Sequence, residues 1–230
     1  MTNTQRDADL PHSAALQRKK SGGRPTREEA VRRDARLLDI ATTLFMERGF
    51  DGTSIDAVAE SAGVSKPTVY NRYKDKRDLF AAVLCSRIRL WLAPISAAAE
   101  SQMKATGVES VEETLHQLSL DMLAHSMTPD VAMLQRVVAA QAMRFPELAT
   151  LAHEEGWLRA VRGVATLLRH FGRLGQIKAD DPAVEADLFL NLVLGHAKRL
   201  ALFGIAVVPA EEEVRRRKAV ELFLNGTRTR

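Results

Sequence analysis

Between Ala62 and Pro67 the chain reads Ala-Gly-Val-Ser-Lys-Pro, and this hexapeptide leaves the segments on either side little freedom. Gly63 can take the left-handed backbone that reverses a chain, and Val64 can plug the angle between two helices. Ser65 can cap a new helix, and Pro67 then falls in its first turn, where a missing N–H loses no intrahelical acceptor. Ahead of the turn, Ile55, Val58, Ala59 and Ala62 form a narrow apolar stripe, and Thr53 with Asp56 has the spacing of an N-cap with a returning carboxylate. Beyond it, Val69 and Tyr73 lie four apart and can face inward. Two short helices joined by a tight turn are the expected result.

The outward residues of the second helix are chemically unusual. Lys66, Thr68, Tyr70, Asn71 and Arg72 combine cations, a hydroxyl, a phenol and an amide, all able to donate hydrogen bonds to phosphate or base-edge acceptors. A helix that only packs has no need of that mixture. A longer helix should precede the pair, capped by Thr26 with Glu29, with Leu37, Ile40, Ala41, Leu44 and Phe45 on its core face and an end near Arg48, where Gly49 and Phe50 suit a left-handed cap. A further helix should follow, capped by Asp75 and carrying Leu79, Phe80, Val83 and Leu84, to about Ala93 before Pro94.

The ordered set Gly-Arg-Pro-Thr, Leu-Phe-x-x-x-Gly-Phe, Thr53-Ser54-Ile55, Ala-x-x-Ala-Gly-Val-Ser-Lys-Pro-Thr-Val-Tyr and Lys76-x-x-Leu79-Phe80 resembles the DNA-binding region of TetR/AcrR-type transcriptional regulators. The resemblance implies that Tyr70 and Lys76 hold phosphates, that Thr53 anchors the backbone near the first helix of the pair, and that Ser65 and Pro67 lie where a helix N-terminus approaches phosphate. Lys66, Thr68 and Asn71 become candidates for base edges. The basic run from Arg18 through Arg24 either reaches into a minor groove or adds only nonspecific attraction.

The remaining chain reads as all-α, with breaks expected near Gly107, Thr128-Pro129, Pro146, Gly175 to Pro182, and Pro209. Residues 1–21 read as a basic tail, 22–84 as the helix-turn-helix domain and 85–230 as a larger helical domain for ligand binding and dimerisation. The stretch Gln135–Ala149 resembles the ligand domain of the AefR-like branch. Met103, Met122, Met143, Phe145, Trp157 and Phe171 are candidates for an effector pocket, because methionine and aromatic surfaces adapt to varied apolar ligands. The helix expected from Pro182 to about Gly204 is apolar on more than one face. Its seam Phe189, Val193, His196, Leu200 and Phe203, with Val220 and Phe223 of the last helix, is the expected dimer interface, as the resemblance also implies.

A single cysteine, Cys85, excludes an intramolecular disulfide and points to a reducing compartment. The first residues lack the apolar core of an export signal, and the apolar window Leu188–Val208 is interrupted by Asn191, His196, Lys198 and Arg199, so a cytoplasmic chain without membrane partners is expected. The histidines are scattered without metal-ligand spacing, and no phosphate-cradling loop, nucleophile elbow or zinc helix is present. No enzyme activity, metal or cofactor is expected. The reading is of a repressor that binds a palindromic double-stranded operator as a homodimer and is released by an unknown small-molecule effector.

Overall fold

A computed structural model describes residues 27–104 and 110–227 of the chain, with the side chains of 102–104 outside that set. The helices are α1 (Arg27–Gly52), α2 (Ile55–Ala62), α3 (Lys66–Tyr70), α4 (Lys76–Lys104) and α5 (Val111–Ser126). They continue as α6 (Pro129–Gln141), α7 (Pro146–Leu151), a π-helical segment (Ala152–Leu158), α8 (Arg159–Arg173), α9 (Pro182–Leu202) and α10 (Pro209–Thr227). No strand occurs among the described residues.

Local chemistry accounts for the tight pair. Ser54, not Thr53, caps α2, accepting from Ala57 N at 3.1 Å. Gly63 takes φ 66°, and Val64 N donates back to Ala59 O at 3.0 Å, closing α2. Ser65 then caps α3. At the end of α1, Gly49 adopts φ 69°, which turns Phe50 inward onto Phe45 and Phe80 before one last turn to Gly52. Capping by Thr26 lies outside the described residues, as does the break expected near Gly107.

The expected stop before Pro94 does not occur. α4 runs through it to Lys104. Proline removes only the bond to Leu90 O, and Leu90 is exposed, while Trp91 and Ile95 are both buried and hold the helix on each side. Residues 76–101 are long and apolar enough by composition to cross a bilayer, but this helix is shared between two cores, which accounts for its composition.

One core gathers Phe45, Phe50, Val58, Val69, Leu79 and Phe80, and it also takes in Leu134 and Val137 of α6 and Leu148 of α7. The other gathers Leu115, Met122, Leu168, Phe171, Phe189, Leu194 and Val220. The helix-turn-helix is therefore seated on α6 and α7 as well as on α4. Within the larger core, Arg216 is buried and tied to Glu213 at 2.8 Å, to His116 O at 2.9 Å and to Ser119 Oγ at 2.5 Å. That network locks α10 to α5.

Candidate functional site

Burial of Val69 and Tyr73 turns the rest of α3 to solvent. Ser65, Lys66, Pro67, Thr68, Tyr70 and Asn71 are all exposed on one edge of the molecule. The phenol of Tyr73 donates to Asp34 Oδ1 at 2.8 Å, and Arg72 Nε reaches the same oxygen at 2.8 Å, so the exit of α3 is pinned to α1. Desolvation, reinforced by the Asp34 carboxylate, pushes the Tyr73 phenol well above its ordinary value and keeps it a donor. Lys66 pairs with Asp56 at 2.5 Å, and Thr68 Oγ1 lies 2.7 Å from Ser65 Oγ. Both contacts hold solvent-facing groups in place without removing them from solvent.

Two of the expected DNA contacts have partners within the fold. Thr53 is 1% exposed, and its hydroxyl donates to Leu44 O at 3.0 Å and Gly49 O at 2.8 Å, so it closes the α1–α2 corner. Lys76 Nζ donates to Phe50 O at 2.8 Å and Asp51 O at 3.3 Å and sits 4.6 Å from the Phe50 ring centroid. It neutralises the carbonyl end of α1 instead of pointing free. Arg24 lies outside the described residues.

A cavity of about 740 Å³ opens between α4, α6, the π-helical segment and α9. Its walls include Ile88, Trp91, Leu134, Val138, Ala142, Trp157 and Leu202, with Lys198 among them. The π-helical turn brings Ala152, His153, Gly156 and Trp157 to this wall, and such widened turns are common at functional sites. The size matches pockets that enclose small organic ligands.

Of the expected pocket residues, only Trp157 lines the cavity. Met122 and Phe171 are fully buried in the larger core, and Met143 is 97% exposed in the turn after α6. Phe145 packs 5.3 Å from Phe50, against the helix-turn-helix domain, with the Arg77 and Arg144 guanidiniums over its ring. The Met103 side chain lies outside the described residues. Trp91 and Lys198 were missed, although a lysine inside an otherwise apolar helix is a readable signal.

The wall of the cavity is also the seat of α1. Leu134 lines the cavity and belongs to the core shared with Phe50. From the turn after α6, Arg144 pairs with Asp51 at 3.0 Å, and Gln141, the last residue of α6, donates to the same carboxylate at 3.3 Å. Arg77 at the start of α4 faces Glu147 of α7 at 3.5 Å.

The expected dimer seam is also largely corrected. Phe189, Val193, Val220 and Phe223 are buried within the subunit, Phe189 and Phe223 with ring centroids 5.1 Å apart. His196 Nδ1 lies 2.7 Å from Glu212 Oε2, Leu200 is half-buried, and only Phe203 of that set is exposed. The apolar residues left to solvent are instead Val184, Leu188 and Leu192 of α9, Phe203 at its C-cap, and Val214 and Leu222 of α10.

A helix-turn-helix seated on a larger helical domain that bears a ligand-sized cavity defines a class of one-component DNA-binding regulators. Residues 37–83 match the model of bacterial regulatory proteins of the tetR family, and residues 113–226 match the C-terminal domain of AefR-like transcriptional repressors. The transcriptional regulator AcrR of Shigella flexneri is 38% identical over 60 residues, 26% of this chain and 28% of AcrR. The chain thus matches well under half of that relative's length. A TetR-family regulator from Mesorhizobium loti has a crystal structure that superposes with a TM-score of 0.80 at 29% identity, covering 89% of this chain and all of that one. The flavonoid-responsive regulator FrrA superposes with a TM-score of 0.68 at 28% identity, over 87% of this chain and 99% of its own. The chain belongs to the TetR family of transcriptional regulators.

Proposed function

We propose that the chain is a repressor that binds a palindromic operator as a homodimer and releases it when a small molecule enters the cavity. One observation carries the reading. α6 faces the cavity with Leu134 and Val138 while its Leu134 and Val137 seat the core of the helix-turn-helix domain. A ligand that repositions α6 has a short lever, through Arg144, Gln141 and Asp51, to the end of α1 on which Lys76 and α2 are mounted. In thermodynamic terms the ligand prefers a conformation whose two reading heads are wrongly spaced, and couplings of this kind are typically ~5–150-fold. FrrA, named for its response to flavonoids, supports small-molecule control of this fold.

Tyr70 is the candidate for phosphate, Lys66, Thr68 and Asn71 for base edges, and Ser65 and Pro67 for the close approach of the backbone. Two copies of α3 related by a two-fold axis match half-sites ~34–36 Å apart or a multiple of that spacing. The exposed apolar set of Leu188, Leu192, Phe203, Val214 and Leu222 is the surface proposed to bring the copies together, in the cytoplasm where the chromosome lies. Placing Leu192→Glu and Val214→Glu in one chain tests this reading. The variant is expected to weigh one subunit by light scattering, to keep its helical spectrum and to lose operator affinity. A variant that stays dimeric and bound contradicts the proposed surface.

A further inference from the structure

We infer that the cavity takes an organic monoanion, an apolar body bearing one acidic oxygen group, with Lys198 as its counter-ion. This rests on reading the cavity as the effector site and specifies the ligand's chemistry. The Lys198 ammonium lies 4.4 Å from the ring centroid of Trp157 and 5.4 Å from that of Trp91. Both indoles are fixed by their own N–H groups, Trp157 to Asp187 Oδ1 at 2.6 Å and Trp91 to Ser126 Oγ at 2.8 Å. Asp187 is thereby committed, and it also accepts from Asn191 at 3.1 Å.

Lys198 makes no hydrogen bond or ion pair with any described residue, and no aspartate or glutamate lines the cavity. Of the other charged or titratable groups there, Arg87 is held by Asp39 at 2.9 Å and Asp130 at 3.8 Å, leaving His153 and Arg199, which are exposed. Burial alone pushes the Lys198 ammonium down to about 8. A half-buried cation without a partner is costly, and two aromatic faces offset only part of that cost. A ligand carboxylate or phenolate supplies the missing charge through a charge-assisted hydrogen bond in a low-dielectric site. A neutral isostere desolvates Lys198 further without repaying it, and a cationic one is repelled.

Trp91 and Trp157 are the only two tryptophans in the chain, so emission excited selectively at tryptophan reports on this cavity. The titrants are naphthalene-2-carboxylate and decanoate, their neutral amides, and naphthalen-2-ylmethylammonium. At least one acid is expected to give a saturable change and to bind about tenfold tighter than its amide, or more. Lys198→Met is expected to abolish that preference and to melt no lower than the wild type, since it removes an uncompensated charge. The assignment is overturned if no acid binds, if amides match their acids, if the cation binds best, if the variant keeps the preference, or if it melts markedly lower. Operator binding by the wild type, measured without any titrant, separates the two readings. Its absence refutes the regulator and leaves the lysine assignment standing, whereas its presence without acid preference refutes the lysine assignment alone.

Discussion

Replacing Lys76 by alanine separates two roles that predict different observables. In the structure the ammonium donates to Phe50 O and Asp51 O and lies over the Phe50 ring. A hydrogen bond from a charged group contributes ~1.5–3 kcal/mol when well shielded, and this half-buried one belongs at or below the low end of that range. The cation–π contact adds ~0.5–1 kcal/mol. Together they give a loss of about 2 kcal/mol, which for a chain of this size lowers Tm by ~4–8 °C. If Lys76 spends its charge on α1, the slope of log affinity for DNA against log salt is unchanged, although affinity falls modestly as the corner loosens. If it neutralises a phosphate, the slope falls by ~0.9. Thermal melting followed by circular dichroism and a salt series in fluorescence anisotropy measure both. An unchanged Tm with a slope lowered by about one unit refutes the capping role.

Thr68→Ala and Asn71→Ala are each expected to change which bases are preferred, at ~1–3 kcal/mol for a lost base contact, and an unaltered consensus after selection from random DNA rejects both assignments. Tyr70→Phe is expected to weaken binding to all sequences equally, so unequal losses across operators, measured by anisotropy, assign the phenol to a base. Glu213 is held down to about 2 by hydrogen bonds from Arg216 and then Arg217. A carboxylate depressed in the folded state stabilises above its ordinary 4.5 and loses that contribution as pH falls toward 2. Glu213→Gln is therefore expected to lower Tm at neutral pH and to flatten its fall below pH 4.5, and melts with parallel pH profiles contradict this. A Cβ on Gly163 of α8 clashes with Ile95 of α4. Gly163→Ala is expected to cost ~1–3 kcal/mol in urea unfolding, and an unchanged midpoint denies the close packing.

The helix-turn-helix was legible because its signals are local: the left-handed Gly63, the Ser65 cap, Pro67 in the first turn and the inward pair Val69 and Tyr73 all act within one helical turn of where they stand. The cavity was not, because its walls come from α4, α6, the π-helical segment and α9, which only tertiary packing brings together. Methionine was a poor guide, since Met122 serves an ordinary core and Met143 an exposed turn. On α9 the apolar residues cover several faces, so periodicity alone could not say which face stays outside. The seam of Phe189 and Val193 went inward, and Leu188 and Leu192, one residue earlier in the same turns, were left to solvent. Lys76 read as a phosphate contact for a related reason. The carbonyls that satisfy Lys76 lie 25 and 26 residues away in sequence and meet it only after folding.

Selection of binding sites from a pool of random duplex DNA with the purified chain bears most directly on α3 as a reading helix used twice. A consensus with two-fold symmetry is expected, its half-sites separated by about one helical turn or a multiple of it. Its recovery should be abolished by Leu192→Glu combined with Val214→Glu. A lone asymmetric half-site that survives this variant, or no enrichment at all, contradicts the account.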